Sequence, residues 1–170
     1  MFSKPDSHGK RRFATQSVHA GETKRKPYGS LTMPVVQTST YSFEDTAALI
    51  EHMRRKEQGL EPLRGEYGRY GNPTQEVVEH KMAELEGGES ALVLSSGMAA
   101  ITCTLLTFLS AGDHYILTED CYRKTRQYSL EVMGRLRIGC TLVPLGDYDA
   151  LEAAITPHTR LILAESPTNP

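Results

Sequence analysis

The segment SSGM, Ser95 to Met98, joins an apolar run to an apolar helix and is the first place where the sequence indicates chemistry. The backbone N–H groups of Gly97 and Met98 would lie at the positive end of that helix, where anions bind. Gly97 would let the backbone approach an anion closely, and Ser96 would add a hydroxyl. The segment predicts a phosphate-binding site, although a capped helix start with a tightly packed glycine has the same pattern.

A second candidate is Tyr122, in the segment EDCYRKTR that follows the next predicted strand. An aromatic side chain at that point suits stacking on a flat heterocycle, and it equally suits packing beneath its own loop. Arg123, Lys124 and Arg126 follow in one turn. Such a basic run is typical of a solvated helix face, with an anionic substrate as the alternative.

Two further loops carry polar groups. Glu165 ends the last predicted strand and Asn169 follows it in ESPTNP, where the Asn169 amide would form a local turn or bind a ligand. The loop EYGRYGNPT, Glu66 to Thr74, is unusually aromatic for a connection. The six histidines show no ligand spacing and are expected to be surface or capping residues. Neither they nor the cysteines predict a metal site.

Helix signals define the elements that position these loops. Asp45 is a predicted N-cap for a helix to about Lys56, and Asn72 with Pro73 predicts a helix that ends at Gly87. Residues 98–109 are apolar nearly all round and predict a buried helix. Further helices are expected from Tyr122 to about Met133 and from Asp149 to Ile155. Residues 1 to about 43 contain scattered Gly and Pro and predict an extended arm.

Four apolar runs alternate with these helices, at residues 91–94, 114–117, 140–145 and 160–165. This alternation predicts an α/β fold with a parallel-rich sheet and helices on both faces. In such sheets ligands bind beyond the carboxyl ends of the strands. The loops that begin at Ser95, Thr118, Gly146 and Ser166 should therefore meet at one edge.

Composition limits the partners. Lys and Arg total 19 against 21 Asp and Glu, a net charge of −2, so the sequence favours small soluble ligands over nucleic acid. No apolar run is long enough to span a membrane. The three cysteines are widely spaced, which indicates reduced thiols and a cytoplasmic location.

Taken together, EYGRYGNPT, SSGMAA, DCYRKTR and ESPTNP resemble, in order and spacing, the pyridoxal-phosphate enzymes of Cys/Met metabolism, the transsulfuration family. The similarity extends from about Val18 onward and includes PVVQTSTY, residues 34–41. Within the family the motifs are most similar to those of the cystathionine γ-synthases, and the γ-lyases and β-lyases are close. The resemblance implies the large domain of a fold type I aminotransferase-like enzyme.

The resemblance also implies roles for individual residues. Tyr67 and Arg69 would bind the phosphate of pyridoxal 5'-phosphate in a neighbouring subunit. Such sharing requires at least a homodimer, and homotetramers are typical of the family. Three residues, Ser96, Gly97 and Met98, would bind the same phosphate within their own subunit. Tyr122 would stack on the pyridine ring and handle protons, and Asn169 would lie near the ring hydroxyl and the substrate carboxylate.

The family's Schiff-base lysine, its pyridine-binding aspartate and its substrate-binding arginine come later in the chain than SPTNP. The resemblance therefore implies an N-terminal portion, inactive alone, with an arm and short helix at 1–60 and the first part of the cofactor domain at 61–170. The expected reaction of the whole enzyme is γ-replacement on an activated homoserine ester by cysteine. A γ-lyase or β-lyase, an unrelated α/β phosphate enzyme, and a non-catalytic phosphate-binding fragment are the alternatives.

Overall fold

A computed structural model describes residues 12–60 and 65–168. The chain divides into two compact units, Met1–Val93 and Leu94–Pro170. The boundary predicted after residue 60 refers to the domains of a whole enzyme and stays a prediction.

The first unit is mainly helical. Its helices are α1 (Phe13–His19), α2 (Thr46–Glu57) and α3 (Pro73–Glu86), and 3-10 turns cover Pro27–Gly29 and Gly68–Tyr70. The prediction of an arm without helix is wrong for Phe13–His19. This short helix packs on α3, and contact with α3 supplies stability that seven residues alone would lack. The first eleven residues of the arm lie outside the described part.

Local capping sets the starts of α2 and α3. The Asp45 carboxylate accepts from the Ala48 N–H at 2.8 Å, and the Asn72 side chain accepts from the Thr74 N–H at 2.8 Å. Pro73 occupies the first turn of α3, where its missing N–H costs nothing. Gly87 ends α3 in the left-handed conformation, with φ of 67°. The predicted starts and ends of α2 and α3 are therefore confirmed to within one residue.

The second unit is α/β. It runs α4 (Gly97–Phe108), β1 (His114–Thr118), α5 (Arg123–Tyr128), a π-helical turn (Ser129–Met133), β2 (Gly139–Val143), α6 (Tyr148–Ala153) and β3 (Thr159–Leu163). The strands form a parallel sheet in the order β2-β1-β3. His114 pairs with Gly139 and Thr118 with Val143. The α/β class and the parallel sheet are confirmed.

The core of this unit lies around the central strand, since β1 has a neighbour on each side. Tyr115, Ile116 and Leu117 are fully buried. Apolar side chains from α4, from the π-helical turn and from the loops pack with Tyr115 and Leu117: Leu105, Leu109, Cys121, Met133 and Ile138. Burial of such side chains contributes about 1.5–3 kcal/mol each.

Two predictions for this region are wrong. Residues 91–94 form no strand, and Leu92 is 82% exposed. An apolar run becomes a strand only where a neighbouring backbone completes the ladder, and the described residues supply no such partner here. Helix α4 begins and ends one residue before the predicted bounds of 98–109. Leu105 is its one buried residue, and Leu106 and Phe108 are at least half exposed.

Within residues 12–60 and 65–168, no helix has the length and hydropathy needed to cross a membrane. The same residues contain no group of three or more His, Cys, Asp or Glu side chains arranged to hold a metal ion.

Candidate functional site

The start of α4 presents donors to an anion. Ser96 is the N-cap, and its Oγ accepts from the Ala99 N–H at 3.1 Å. The Ser96 hydroxyl proton therefore remains free to donate. The N–H groups of Gly97 and Met98 occupy the first turn, where a helix has no internal acceptor for them. Among the described residues, no heavy atom apart from the chain neighbours and the helix's own backbone lies within 4 Å of where a Gly97 Cβ would be, so the position beside Gly97 is open.

The second candidate, Tyr122, lies in the loop after β1 and is the N-cap residue of α5. Tyr122 as a whole residue is 40% exposed, so it is partly accessible to a ligand. Its backbone N–H donates to the Glu165 Oε1 at 3.1 Å. Because Glu165 follows β3, this hydrogen bond joins the loops at the carboxyl ends of two adjacent strands. Sequence reasoning placed Glu165 at this edge but missed the bond that fixes Tyr122.

A contact between α4 and α5 brings the two candidates into one region of the second unit. The Thr125 hydroxyl donates to the Met98 sulfur at 3.8 Å, and Thr125 is fully buried. The donors at the start of α4 and the ring of Tyr122 are therefore held by adjoining helices. This agrees with the predicted grouping of loops at one edge of the sheet.

The basic run behind Tyr122 makes local contacts. An Arg126 Nη donates to the Glu119 carbonyl at 3.2 Å, and the Lys124 Nζ donates to the Gln127 Oε1 at 3.0 Å. Both bonds lie on exposed surface, which favours the solvated-face interpretation over a binding site. Burial, reinforced by the Glu165 carboxylate, raises the pKa of the adjacent Cys121 thiol, so this cysteine is poorly suited to act as a nucleophile.

The loop with Tyr67 and Arg69 belongs to the first unit. The Arg69 guanidinium carbon lies 5.1 Å from the centre of the Tyr67 ring, within cation–π range. Arg69 is exposed, and no carboxylate among the described residues forms an ion pair with it. A free guanidinium beside a phenol is available to bind an anion from outside this unit.

Two histidines depart from the predicted surface or capping role. His52 is only 2% exposed, and its Nε2 lies 3.2 Å from the Glu66 Oε2. His114 is half-buried, and its two ring nitrogens lie 2.8 Å from the Thr159 hydroxyl and 2.9 Å from the Thr141 hydroxyl. A single sequence contained no signal for these roles, because each partner is distant along the chain.

One predicted site residue, Asn169, lies outside the described residues, so its expected position near a ligand stays a prediction. The other six lie within one unit or the other: Tyr67 and Arg69 in the first, and Ser96, Gly97, Met98 and Tyr122 in the second. Each group combines anion donors with an aromatic ring. Such chemistry fits a ligand with a phosphate and a flat heterocycle.

The fold is that of an α/β protein with a candidate anion site at the start of α4, and sequence comparison identifies its family. The model of the Cys/Met metabolism PLP-dependent enzymes matches residues 14–170. The chain belongs to this family, whose cofactor is pyridoxal 5'-phosphate (PLP). The predicted resemblance and cofactor are confirmed.

Individual relatives agree with this membership. The chain is 44% identical over 157 residues to cystathionine gamma-synthase 1, chloroplastic, from Arabidopsis thaliana, which covers 91% of this chain and 27% of that protein. It is 40% identical over 163 residues to L-methionine gamma-lyase from Pseudomonas putida, covering 93% and 38% respectively.

A solved structure agrees as well. The crystal structure of metY from Campylobacter jejuni, which contains N'-pyridoxyl-lysine-5'-monophosphate, superposes with a TM-score of 0.83 at 28% identity, over 95% of this chain and 38% of that one. The chain thus spans between about a quarter and two fifths of the length of these proteins.

Proposed function

We propose that this chain provides the phosphate-binding and ring-stacking residues of a transsulfuration enzyme that acts as a cystathionine γ-synthase. Such an enzyme joins cysteine to an activated homoserine ester by γ-replacement. The observation that carries the proposal is the start of α4, where open N–H donors and the Ser96 hydroxyl adjoin the helix that begins after Tyr122. The 44% identity to a plant cystathionine gamma-synthase supports the choice of reaction.

The residues of the second unit fit pyridoxal phosphate. A Cβ at Gly97 would meet no neighbouring group, and we propose that the N–H groups of Gly97 and Met98 with the Ser96 hydroxyl would hold a phosphate group at this helix N-terminus. Tyr122, which is partly exposed, would stack its ring on the pyridine ring. When bound, the cofactor supplies an electron sink for negative charge that develops on the substrate.

Tyr122 has a second proposed role besides stacking. A phenol beside the bound ring is suited to accept or donate a proton at the substrate α carbon. Glu165 would keep the ring in place through the Tyr122 backbone. Asn169 would contribute an amide near the ring hydroxyl and the substrate carboxylate.

We propose that the first unit serves the active site of a neighbouring subunit. Tyr67 and Arg69 would donate to the cofactor phosphate across a dimer interface, which agrees with the exposed guanidinium and its lack of an ion pair among the described residues. A homodimer with shared active sites is then the smallest functional assembly, and a homotetramer is the expected one. A cytoplasmic location is proposed from the three free cysteines, although one relative is chloroplastic.

The lysine that binds the cofactor covalently is proposed to lie outside these 170 residues. Lys56 pairs with Glu66 at 2.8 Å, Lys26 and Lys81 both pair with Glu22, and Lys124 donates to Gln127. Each of these four amino groups already has a side-chain partner, and in the second unit Lys124 lies in α5 and not at the start of α4. The 170 residues alone are therefore expected to be inactive, which leaves a non-catalytic phosphate-binding protein as one alternative.

A γ-lyase is the second candidate, because the chain is 40% identical to a methionine gamma-lyase. A β-lyase of the same family is consistent with the same residues. Both would release ammonia from a single amino-acid substrate, whereas the synthase forms cystathionine from two. The residues proposed here would bind the cofactor in all three reactions, so the distinction requires an assay.

The proposal is tested on the intact enzyme that contains this chain. Addition of pyridoxal phosphate should produce a visible absorbance band, and cysteine with an activated homoserine ester should yield cystathionine faster than ammonia. Arg69→Ala should weaken cofactor retention about tenfold or more, because a charge-assisted pair to phosphate is lost. Absence of the band would reject the class, and ammonia as the main product would favour the lyase.

A further inference from the structure

Glu66, the residue before Tyr67, is held by two side chains of α2. Its Oε2 accepts from the Lys56 Nζ at 2.8 Å and lies 3.2 Å from the His52 Nε2. His52, Lys56 and Glu66 thus form one hydrogen-bonded group, the Glu66 cluster. No family motif described above assigns a function to His52 or Lys56.

The His52 side of the cluster is rigid. The imidazole is 2% exposed, and its ring packs edge-on against Phe43 at 5.2 Å between centres. A carboxylate only accepts hydrogen bonds, so the bond to Glu66 requires the proton on Nε2. The Nδ1 atom is buried without a partner among the described residues. Among the residues that the structure describes, Glu66 is thus the only hydrogen-bond partner of this buried ring, and losing the bond would leave buried polar nitrogens unsatisfied and lower stability.

Backbone hydrogen bonds on either side of Tyr67 also hold this loop. The Tyr41 N–H donates to the Glu66 carbonyl at 3.2 Å, and the Gly68 N–H donates to the Ser39 carbonyl at 2.7 Å. Between these bonds Thr40 and Tyr67 form an antiparallel bridge. Tyr67 is therefore held from both sides, with the side chain of Glu66 joining this short ladder to α2.

The cluster also contacts the turn that contains Arg69. The Lys56 ammonium lies 4.5 Å from the centre of the Tyr70 ring, and Tyr70 packs edge-on against Tyr67 at 6.3 Å. Arg69 lies over the other ring of this pair, that of Tyr67. The hydrogen bonds from Lys56 and His52 hold the pKa of Glu66 below its usual range, in agreement with an ionised acceptor at neutral pH.

We propose that Glu66 is a positioning residue, which fixes Tyr67 and Arg69 in the geometry that binds the cofactor phosphate by attaching their loop to His52 and Lys56 of α2. The inference rests on the proposed function of Tyr67 and Arg69. It adds α2 to the elements that determine cofactor affinity, although α2 itself contributes no ligand. Fixing a long arginine before binding reduces the entropy lost on binding, so affinity rises without a new contact.

The test is a double-mutant cycle on the intact enzyme loaded with pyridoxal phosphate, with the cofactor dissociation constant as the readout. Glu66→Gln keeps the size of the side chain but weakens both bonds, and it should raise the dissociation constant about tenfold. If Glu66 acts through Arg69, adding Glu66→Gln to Arg69→Ala should cause little further loss. If Glu66 only supports the fold, the factors by which the two single substitutions raise the dissociation constant should multiply in the double variant.

Glu51→Ala is the matched control. It removes a glutamate of α2 itself, which pairs within the helix with Arg54 at 2.9 Å on exposed surface, and it should leave the dissociation constant unchanged. An Arg69→Ala enzyme with normal cofactor affinity would reject the proposed function itself. Normal affinity in Glu66→Gln, or multiplying losses in the double variant, would reject the positioning role while the proposed function stood.

Should Glu66→Gln fail to fold, Lys56→Met removes the exposed half of the cluster and leaves His52 bonded. This variant should also weaken cofactor binding, by a smaller factor, and its effect should again vanish in the Arg69→Ala background. An unchanged dissociation constant in Lys56→Met would overturn the proposal in that case.

Discussion

At the residue scale, the placement of Tyr122 depends on a carboxylate 43 positions further along the chain. Helix α5 has no side-chain cap of its own. Glu165 instead accepts the N–H of the N-cap residue, as the third helical residue does in a capping box. The ring proposed to stack on the cofactor is thus fixed by a hydrogen bond between two loops.

Replacing Glu165 should therefore affect the cofactor indirectly. Glu165→Ala is expected to raise the dissociation constant of pyridoxal phosphate about tenfold, because the bond to a charged acceptor is lost. Glu165→Gln, which keeps an acceptor, should have a smaller effect. Absorbance titration of the intact enzyme measures both.

Glu119→Ala is the control for these two variants, since Glu119 lies in the loop of Tyr122 and its hydrogen bonds there come from its backbone: its carbonyl accepts from Arg126 and its N–H donates to the Val143 carbonyl. The dissociation constant of pyridoxal phosphate from the Glu119→Ala variant should match that from the unmodified enzyme. Equal losses of cofactor affinity in the Glu119 and Glu165 variants would show that any substitution near Tyr122 weakens binding. That result would contradict the specific role of Glu165.

At the element scale, the start of α4 combines two functions in one residue. The Ser96 Oγ caps the helix by accepting from the Ala99 N–H, and its hydroxyl proton is proposed to donate to the cofactor phosphate. The two functions respond differently to charge. An anionic cap stabilises the helix but repels a phosphate.

This difference allows the two functions to be separated. Ser96→Ala should lower the free energy of unfolding by about 1 kcal/mol and also weaken cofactor binding. Ser96→Asp should restore most of the stability but bind the cofactor more weakly than Ser96→Ala. Urea unfolding and cofactor titration measure the two quantities. Tighter binding by Ser96→Asp than by Ser96→Ala would argue against a phosphate at this helix terminus.

At the scale of the whole molecule, ionisable groups in the core of the second unit predict sensitivity to alkali. Burial raises the pKa of the Tyr115 phenol, and it raises that of the Cys121 and Cys140 thiols. The folded state keeps protons that the unfolded chain loses above the ordinary values of 9.0 for cysteine and 10.0 for tyrosine. The contribution of these groups to stability is complete below pH 9 and is lost as the pH rises further.

Urea unfolding at pH 7, 9 and 10.5 should accordingly show a midpoint that falls between pH 9 and pH 10.5. Tyr115→Phe removes one of the titrating groups and should reduce this fall. Tyr148→Phe is the control, because Tyr148 is 78% exposed and its replacement should leave the pH profile unchanged. A midpoint that stays constant up to pH 10.5 would contradict the prediction.

The sequence by itself determined the local features of this protein. The caps at Asp45 and Asn72, and the glycine that ends α3, depend on side chains within a few residues, so a single sequence predicts them. The motifs that resemble the transsulfuration enzymes are local as well, and they led to the family and its cofactor. The periodic alternation of apolar runs with helices was sufficient to predict an α/β fold.

Only the tertiary structure decided which distant groups meet. The run at 91–94 has the composition of a strand, but strand formation requires a ladder partner that composition does not specify. His52 and Glu66 are 14 residues apart, and Tyr122 and Glu165 are 43 apart. Hydrogen bonds act over about 3 Å, so these pairs become effective only after the chain has folded and brought them together.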